Sequence, residues 1–97
     1  MYGTVARIRV KPGMEAELLR QVHEEDRARI PGYIGQYVYR MDADANVYLV
    51  AVLFEDREAY FANANSQEQH ARYLAMLPLL EGEPEWHDGE IVYPRRG

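Results

Sequence analysis

VYLVAVLFE, Val47 to Glu55, decides how this chain of 97 residues folds. Side chains along a strand alternate between its two faces, so Val47, Leu49, Ala51 and Leu53 point one way and Tyr48, Val50, Val52 and Phe54 the other. Both sets are apolar. A strand apolar on one face needs a single covering layer; apolar on both, it predicts cover on both. Helices of the same chain can supply one layer. A chain this short buries only about 60–65% of the surface it exposes unfolded, and it has no cysteine to staple the fold. The second layer is expected from another copy, sheet against sheet, in a two-fold homodimer.

Working outward, YIGQYVYRMD (Tyr33 to Asp42) also alternates, with Tyr37, Tyr39 and Met41 opposite Ile34, Val38 and Arg40. The turn-rich Asp42-Ala43-Asp44-Ala45-Asn46 joins it to Val47 as an antiparallel hairpin. Upstream, YGTVARIRV (Tyr2 to Val10) is a strand with Tyr2, Thr4, Ala6, Ile8 and Val10 on one face and Val5, Arg7 and Arg9 on the other. Lys11-Pro12-Gly13 stops it. MEAELLRQVHEEDRARI then carries Met14, Leu18 and Val22 at helical spacing, and Pro31-Gly32 ends that helix. Downstream, Asp56 caps a short helix, REAYFANA, and Ser66 with Gln69 forms a capping box that opens another. Pro78 disturbs this last helix, and EWHDGEIVY is the final strand. The order β-α-β-β-α-β, with the second helical segment split, is an α+β ferredoxin-like pattern: a four-stranded antiparallel sheet with the helices on one face. The whole chain, 1–97, reads as one domain.

Composition excludes several functions. The net charge is −5 and the basic residues are interleaved with acids, so there is no positive patch for nucleic acid. MYGTVARIRVKPG lacks the apolar run of a signal peptide or membrane anchor, and a cytoplasmic location is the expectation. Thiolate chemistry and cysteine metal sites are absent. His23, followed by Glu24, Glu25 and Asp26, lacks HExxH spacing and reads as a solvated charged face, so no metal is expected. Eight tyrosines beside two phenylalanines suit half-buried pocket walls.

VARIRVKPGMEAELL, IPGYIGQYVYR, VAVLFEDREAYFANANS and SQEQHARYLAMLPLLE, in this order, resemble the antibiotic biosynthesis monooxygenase domain family of the dimeric α+β barrel superfamily. The resemblance covers Met1 to Tyr93 and rests on fold-level phrases rather than a catalytic signature. It implies a homodimer with facing sheets and a pocket in each subunit between sheet and helices. Some members oxidise dihydroquinone-like polyketides with molecular oxygen, without metal or flavin; a second branch degrades haem.

Against that background His70 is the candidate base, one helical turn before Leu74, where a neutral imidazole could accept a phenolic proton. It also fits a solvent-side position in a polar first turn. Tyr73 is the candidate positioner, or else a core aromatic on a stripe with Leu77 and Leu80. Tyr37, Tyr39 and Phe61 are candidate pocket walls, with Asn63 and Asn65 near the helices. The quinone-forming branch uses an asparagine, a tryptophan and a tyrosine, but this chain has no helical tryptophan. The haem branch places an asparagine on its first strand and a tryptophan on a helix; neither is present here, which disfavours haem. Arg7, Arg9 and Arg40 are expected together on the dimer side, paired with acids of the second copy. In PEWHDGEIVY, His87 and Asp88 fall on opposite strand faces and cannot form a dyad unless Asp88-Gly89 is bulged. Trp86 reads as cover for an end of the core or the dimer seam. Two functions stand side by side: a cofactor-independent monooxygenase acting on a small aromatic or quinol substrate, and a non-catalytic dimeric module that binds a small apolar ligand or none.

Overall fold

The computed structural model describes residues 1–95 and follows the predicted order. Strand β1 (Tyr2–Arg9) leads to helix α1 (Glu15–Arg27), then the hairpin of β2 (Tyr33–Arg40) and β3 (Val47–Phe54). Helices α2 (Arg57–Ala64) and α3 (Gln67–Met76) follow, a 3₁₀ turn spans Leu77–Leu79, and β4 (Glu85–Glu90) closes the sheet. All pairings are antiparallel in the spatial order β2-β3-β1-β4.

Local chemistry sets the boundaries. Asp56 accepts from the Ala59 amide at 2.8 Å and starts α2. Ser66 Oγ accepts from the Gln69 amide at 3.1 Å and starts α3. The predicted capping box is only half made, because the Gln69 carboxamide turns away to Asn63 and Arg72. Pro78 cannot donate to an α-helical turn, and the helix tightens into the 3₁₀ segment there. Gly32 sits at φ 75°, and an added Cβ would lie 2.5 Å from the Ala59 Cβ, so the α1–β2 connection can press against α2 only with glycine here. The final strand is shorter than expected. It ends at Glu90, and Val92 and Tyr93 are exposed.

The register sorts side chains into two faces. Thr4, Ala6 and Ile8 of β1 share one with Tyr48, Val50, Val52 and Phe54 of β3, Gln36 and Val38 of β2, and Trp86 and Asp88 of β4. Helices cover this face. Ile8, Val10, Leu18, Tyr48, Leu79 and Leu80 form its packed core. A bulge between Tyr33 and Gly35 puts Tyr33 against Phe54 and pushes Ile34 out of alternation. The other face carries Val5, Leu49, Ala51 and Leu53 with Tyr37 and Tyr39, and no element among the described residues covers it. Arg7 and Arg9 lie on this open face as expected, but their partners are within the chain: Glu85 at 3.3 Å and Asp44 at 2.8 Å. Arg40 does not join them. Sharing the phase of Val38, it points to the helix side and pairs with Glu15 of α1 at 3.0 Å.

Candidate functional site

The helices do not fill the space above the sheet. A cavity of about 470 Å³ lies between the covered face and α1, α2 and α3. Its floor is apolar: Ala6, Ile8, Val38, Val50, Val52 and Phe54. One cross-strand row is not. Gln36, Val52, Thr4 and Asp88 lie opposite one another on β2, β3, β1 and β4, so polar side chains bracket the floor from both edges of the sheet. Helix α1 adds Glu25, α2 adds Tyr60 and Asn63, and α3 adds His70, Arg72 and Tyr73. Glu24, His70, Trp86 and Asp88 are exposed lining residues and mark the mouth.

At the β4 edge the Tyr60 hydroxyl donates to Asp88 Oδ1 at 2.8 Å. Burial, reinforced by that carboxylate, pushes the Tyr60 phenol well above its ordinary range, so it remains a neutral donor. Thr4 acts weakly in the opposite sense on Tyr60. Its buried Oγ1 makes no hydrogen bond of regular geometry. Phe54 and Tyr60 meet edge to face, 5.6 Å between centroids, and fix the ring that carries this hydroxyl.

At the β2 edge Gln36 Nε2 reaches the Tyr33 hydroxyl at 3.1 Å and Glu25 Oε1 at a long 3.5 Å. Tyr33 in turn donates to Asp26. Desolvation raises the Glu25 carboxyl above its ordinary value; Arg72 opposes the rise, Asp26 adds to it, and Gln36 opposes it weakly. Arg72 is held by Gln69 at 3.1 Å and Asn63 at 3.2 Å.

Of the predicted residues, the fold brings His70, Tyr73 and Asn63 to the cavity. It does not bring the others. Tyr37 and Tyr39 are on the open face, 62% and 55% exposed, because β2 alternates and Gln36 and Val38 take the inward positions. On α2, Tyr60, Asn63 and Ala64 face inward at i, i+3 and i+4; Phe61 and Asn65 are each one position out of phase. Phe61 packs instead on Tyr2 and Tyr60 under the Arg57 guanidinium, and Asn65 caps the end of α2. The regular pairing of β4 keeps His87 and Asp88 on opposite faces, as the alternation predicts. Trp86 is exposed on the helix-covered face and does not pack over an end of the core. It faces the cavity mouth beside Tyr73, 6.5 Å between ring centroids.

Thr4, Glu25, Gln36, Tyr60 and Asp88 were not among the predicted site residues. Alternation gives the signal for Thr4 and Asp88, which share the phase of Ala6 and Trp86. Nothing in the local sequence separates Glu25 from the neighbouring acids Glu24 and Asp26. No group of three or more histidines, aspartates or glutamates that could hold a metal is present among the described residues. No helix among them is long and apolar enough to cross a membrane.

The sequence profile of the antibiotic biosynthesis monooxygenase family matches residues 1–75. No curated protein matches the chain. Solved structures share the fold. A Caulobacter crescentus protein assigned to antibiotic biosynthesis monooxygenases is 24% identical with a TM-score of 0.79, over 95% of this chain and 90% of that one. A Bordetella bronchiseptica protein of the same assignment is 20% identical with a TM-score of 0.79, over 95% and 97%. A variant of SnoaB, a cofactor-independent oxygenase from Streptomyces nogalater, is 18% identical with a TM-score of 0.73, over 97% of each chain.

Proposed function

The chain belongs to the antibiotic biosynthesis monooxygenase family, and from that membership we propose that it is a cofactor-independent monooxygenase for a small aromatic substrate of the quinol type. The carrying observation is the cavity itself. Its volume of about 470 Å³ falls within the range of small-molecule sites, about 300–1,000 Å³, and it sets an apolar floor for a ring against walls that carry polar groups. SnoaB, which shares the fold, is named as an oxygenase that needs no cofactor.

The reaction balances without an added reductant. A hydroquinone and O₂ give a hydroxyquinone and water: one oxygen atom replaces a ring hydrogen, the other leaves as water, and the substrate supplies all four electrons. Loss of a phenolic proton makes the ring electron-rich enough to reduce O₂. In this reading the ring lies on the floor between the polar edges, Tyr73 and Trp86 flank the mouth, Asn63 with Arg72 and Gln69 fixes the α2–α3 wall, and His70 passes the proton to solvent. A second copy covers the open sheet face, leaving each cavity within its own subunit.

The test is oxygen uptake with a panel of hydroquinones under isotope-labelled O₂. Label in a hydroxyquinone at one O₂ per product supports the monooxygenase. Unlabelled quinone with hydrogen peroxide, at a rate equal to the protein-free control, overturns it. Binding of hydroquinones with no uptake identifies the non-catalytic ligand-binding module.

A further inference from the structure

Resting on the quinol reading above, we infer that Glu25 is the group inside the cavity that takes the proton from the ligand's phenolic hydroxyl, with His70 acting only at the mouth. The argument begins with position. An internal base must reach the hydroxyl where the ring is enclosed. His70 is exposed in the first turn of α3, and Asp88 is exposed at the mouth with Oδ1 already accepting from Tyr60. Glu25 is half-buried on the cavity wall, and its one side-chain hydrogen bond among the described residues is the 3.5 Å contact from Gln36. Of the lining carboxylates Glu24, Glu25 and Asp88, it is the one that is not exposed.

Environment then matches the group to the task. Burial makes the Glu25 carboxylate more basic, while Arg72 from α3 keeps the anion accessible. The other groups around it act in both directions. Asp26 on the same helix adds negative charge, Gln36 from β2 donates, and the Tyr33 phenol, itself pushed upward, stays neutral. Arg20 is occupied by Glu17 and Glu24. The same Gln36 Nε2 donates to the Tyr33 hydroxyl and to Glu25, which places the amide between them. In the transfer, the phenol O–H bond breaks, a new O–H bond forms on the Glu25 carboxylate, and the electron pair stays on the ring oxygen.

The test needs no turnover. In mildly alkaline buffer free 4-nitrophenol is an anion, and the titration is carried to a pH at which the unliganded Glu25 carboxyl is ionised as well. Two anions in one enclosed site titrate as a coupled pair and retain a shared proton. Binding to the wild type should therefore take up about one proton, read from the dependence of calorimetric enthalpy on buffer ionisation. Glu25→Gln should bind the same anion with uptake near zero, whereas His70→Ala should keep the uptake. Gln36→Leu is a second, independent handle: without the amide donor, uptake should persist to higher pH. Unchanged uptake in Glu25→Gln, or an unshifted profile in Gln36→Leu should Glu25→Gln not fold, overturns the assignment and leaves the monooxygenase reading standing. Failure of the wild type to bind any phenol overturns both.

Discussion

The two faces of one sheet are built from the same strands and end in opposite conditions. On the helix side β3 contributes Tyr48 and Phe54 at 3% and 1% exposure, and the remaining space encloses polar groups around a cavity. On the open side the same strand contributes Leu49, Ala51 and Leu53 beside Val5, Tyr37 and Tyr39, with no element among the described residues over them. Both faces are apolar enough to be buried. What differs is the cover the chain itself supplies: its helices leave a void with chosen side chains around it, whereas the open apolar face would have to take a covering layer from another molecule. The site therefore belongs to the face the chain completes alone.

The largest expected effect tests the completed face. Phe54 is in edge contact with Tyr33 and Tyr60, 5.6 Å from each, and supports both polar edges of the cavity. Phe54→Ala should lower stability by about 3–5 kcal/mol in denaturant unfolding, because the neighbouring void prevents collapse around the deletion. A loss below about 1 kcal/mol would mean that this face is not the core. The next effect tests the open face. Ala51 is central in the row Tyr37, Ala51, Val5, His87. If two sheets meet there, Ala51→Glu buries an unpaired charge and should weaken the dimer by at least about 2–3 kcal/mol, seen as a shift to monomer in light scattering. A wild type that is monomeric at every concentration would remove the premise.

The strands, their order and the helix-covered side were legible because alternation is a period of two and each strand shows it over several residues. The same rule placed His87 and Asp88 apart, and it held. The site was less legible because it depends on which inward positions converge, and that is a matter of register and helix phase. Tyr37 and Tyr39 look like pocket walls by residue type, yet the inward places of β2 belong to Gln36 and Val38. Phe61 and Asn65 miss the cavity by one position on α2. Trp86 reaches it only because β4 pairs with β1 in the register Trp86 to Ala6. Glu25 is the hardest case. Within the run Glu24-Glu25-Asp26 its identity is ordinary, and burial alone sets it apart.

That burial provides the smallest of the three effects and the one with a defined sign. The Glu25 carboxyl is raised above its ordinary value of 4.5, chiefly by desolvation. Below 4.5 the group is protonated in both the folded and the unfolded chain and takes nothing from stability. As pH rises, the unfolded chain releases the proton first, and ionising Glu25 in the folded state costs free energy until its own higher pKa is passed. The wild type should therefore lose stability relative to Glu25→Gln across that window and hold a constant deficit above it. Melting temperatures of both proteins should approach each other in acid and diverge as pH rises, with the variant the higher. A variant that melts lower at neutral pH would show that the ionised carboxylate is stabilised by Arg72 and Gln36 more than burial penalises it. In that case the wall of the completed face would carry an ion pair in place of a basic carboxylate, and the contrast with the open face, where Arg7 and Arg9 pair with Glu85 and Asp44, would shrink to a difference in cover alone.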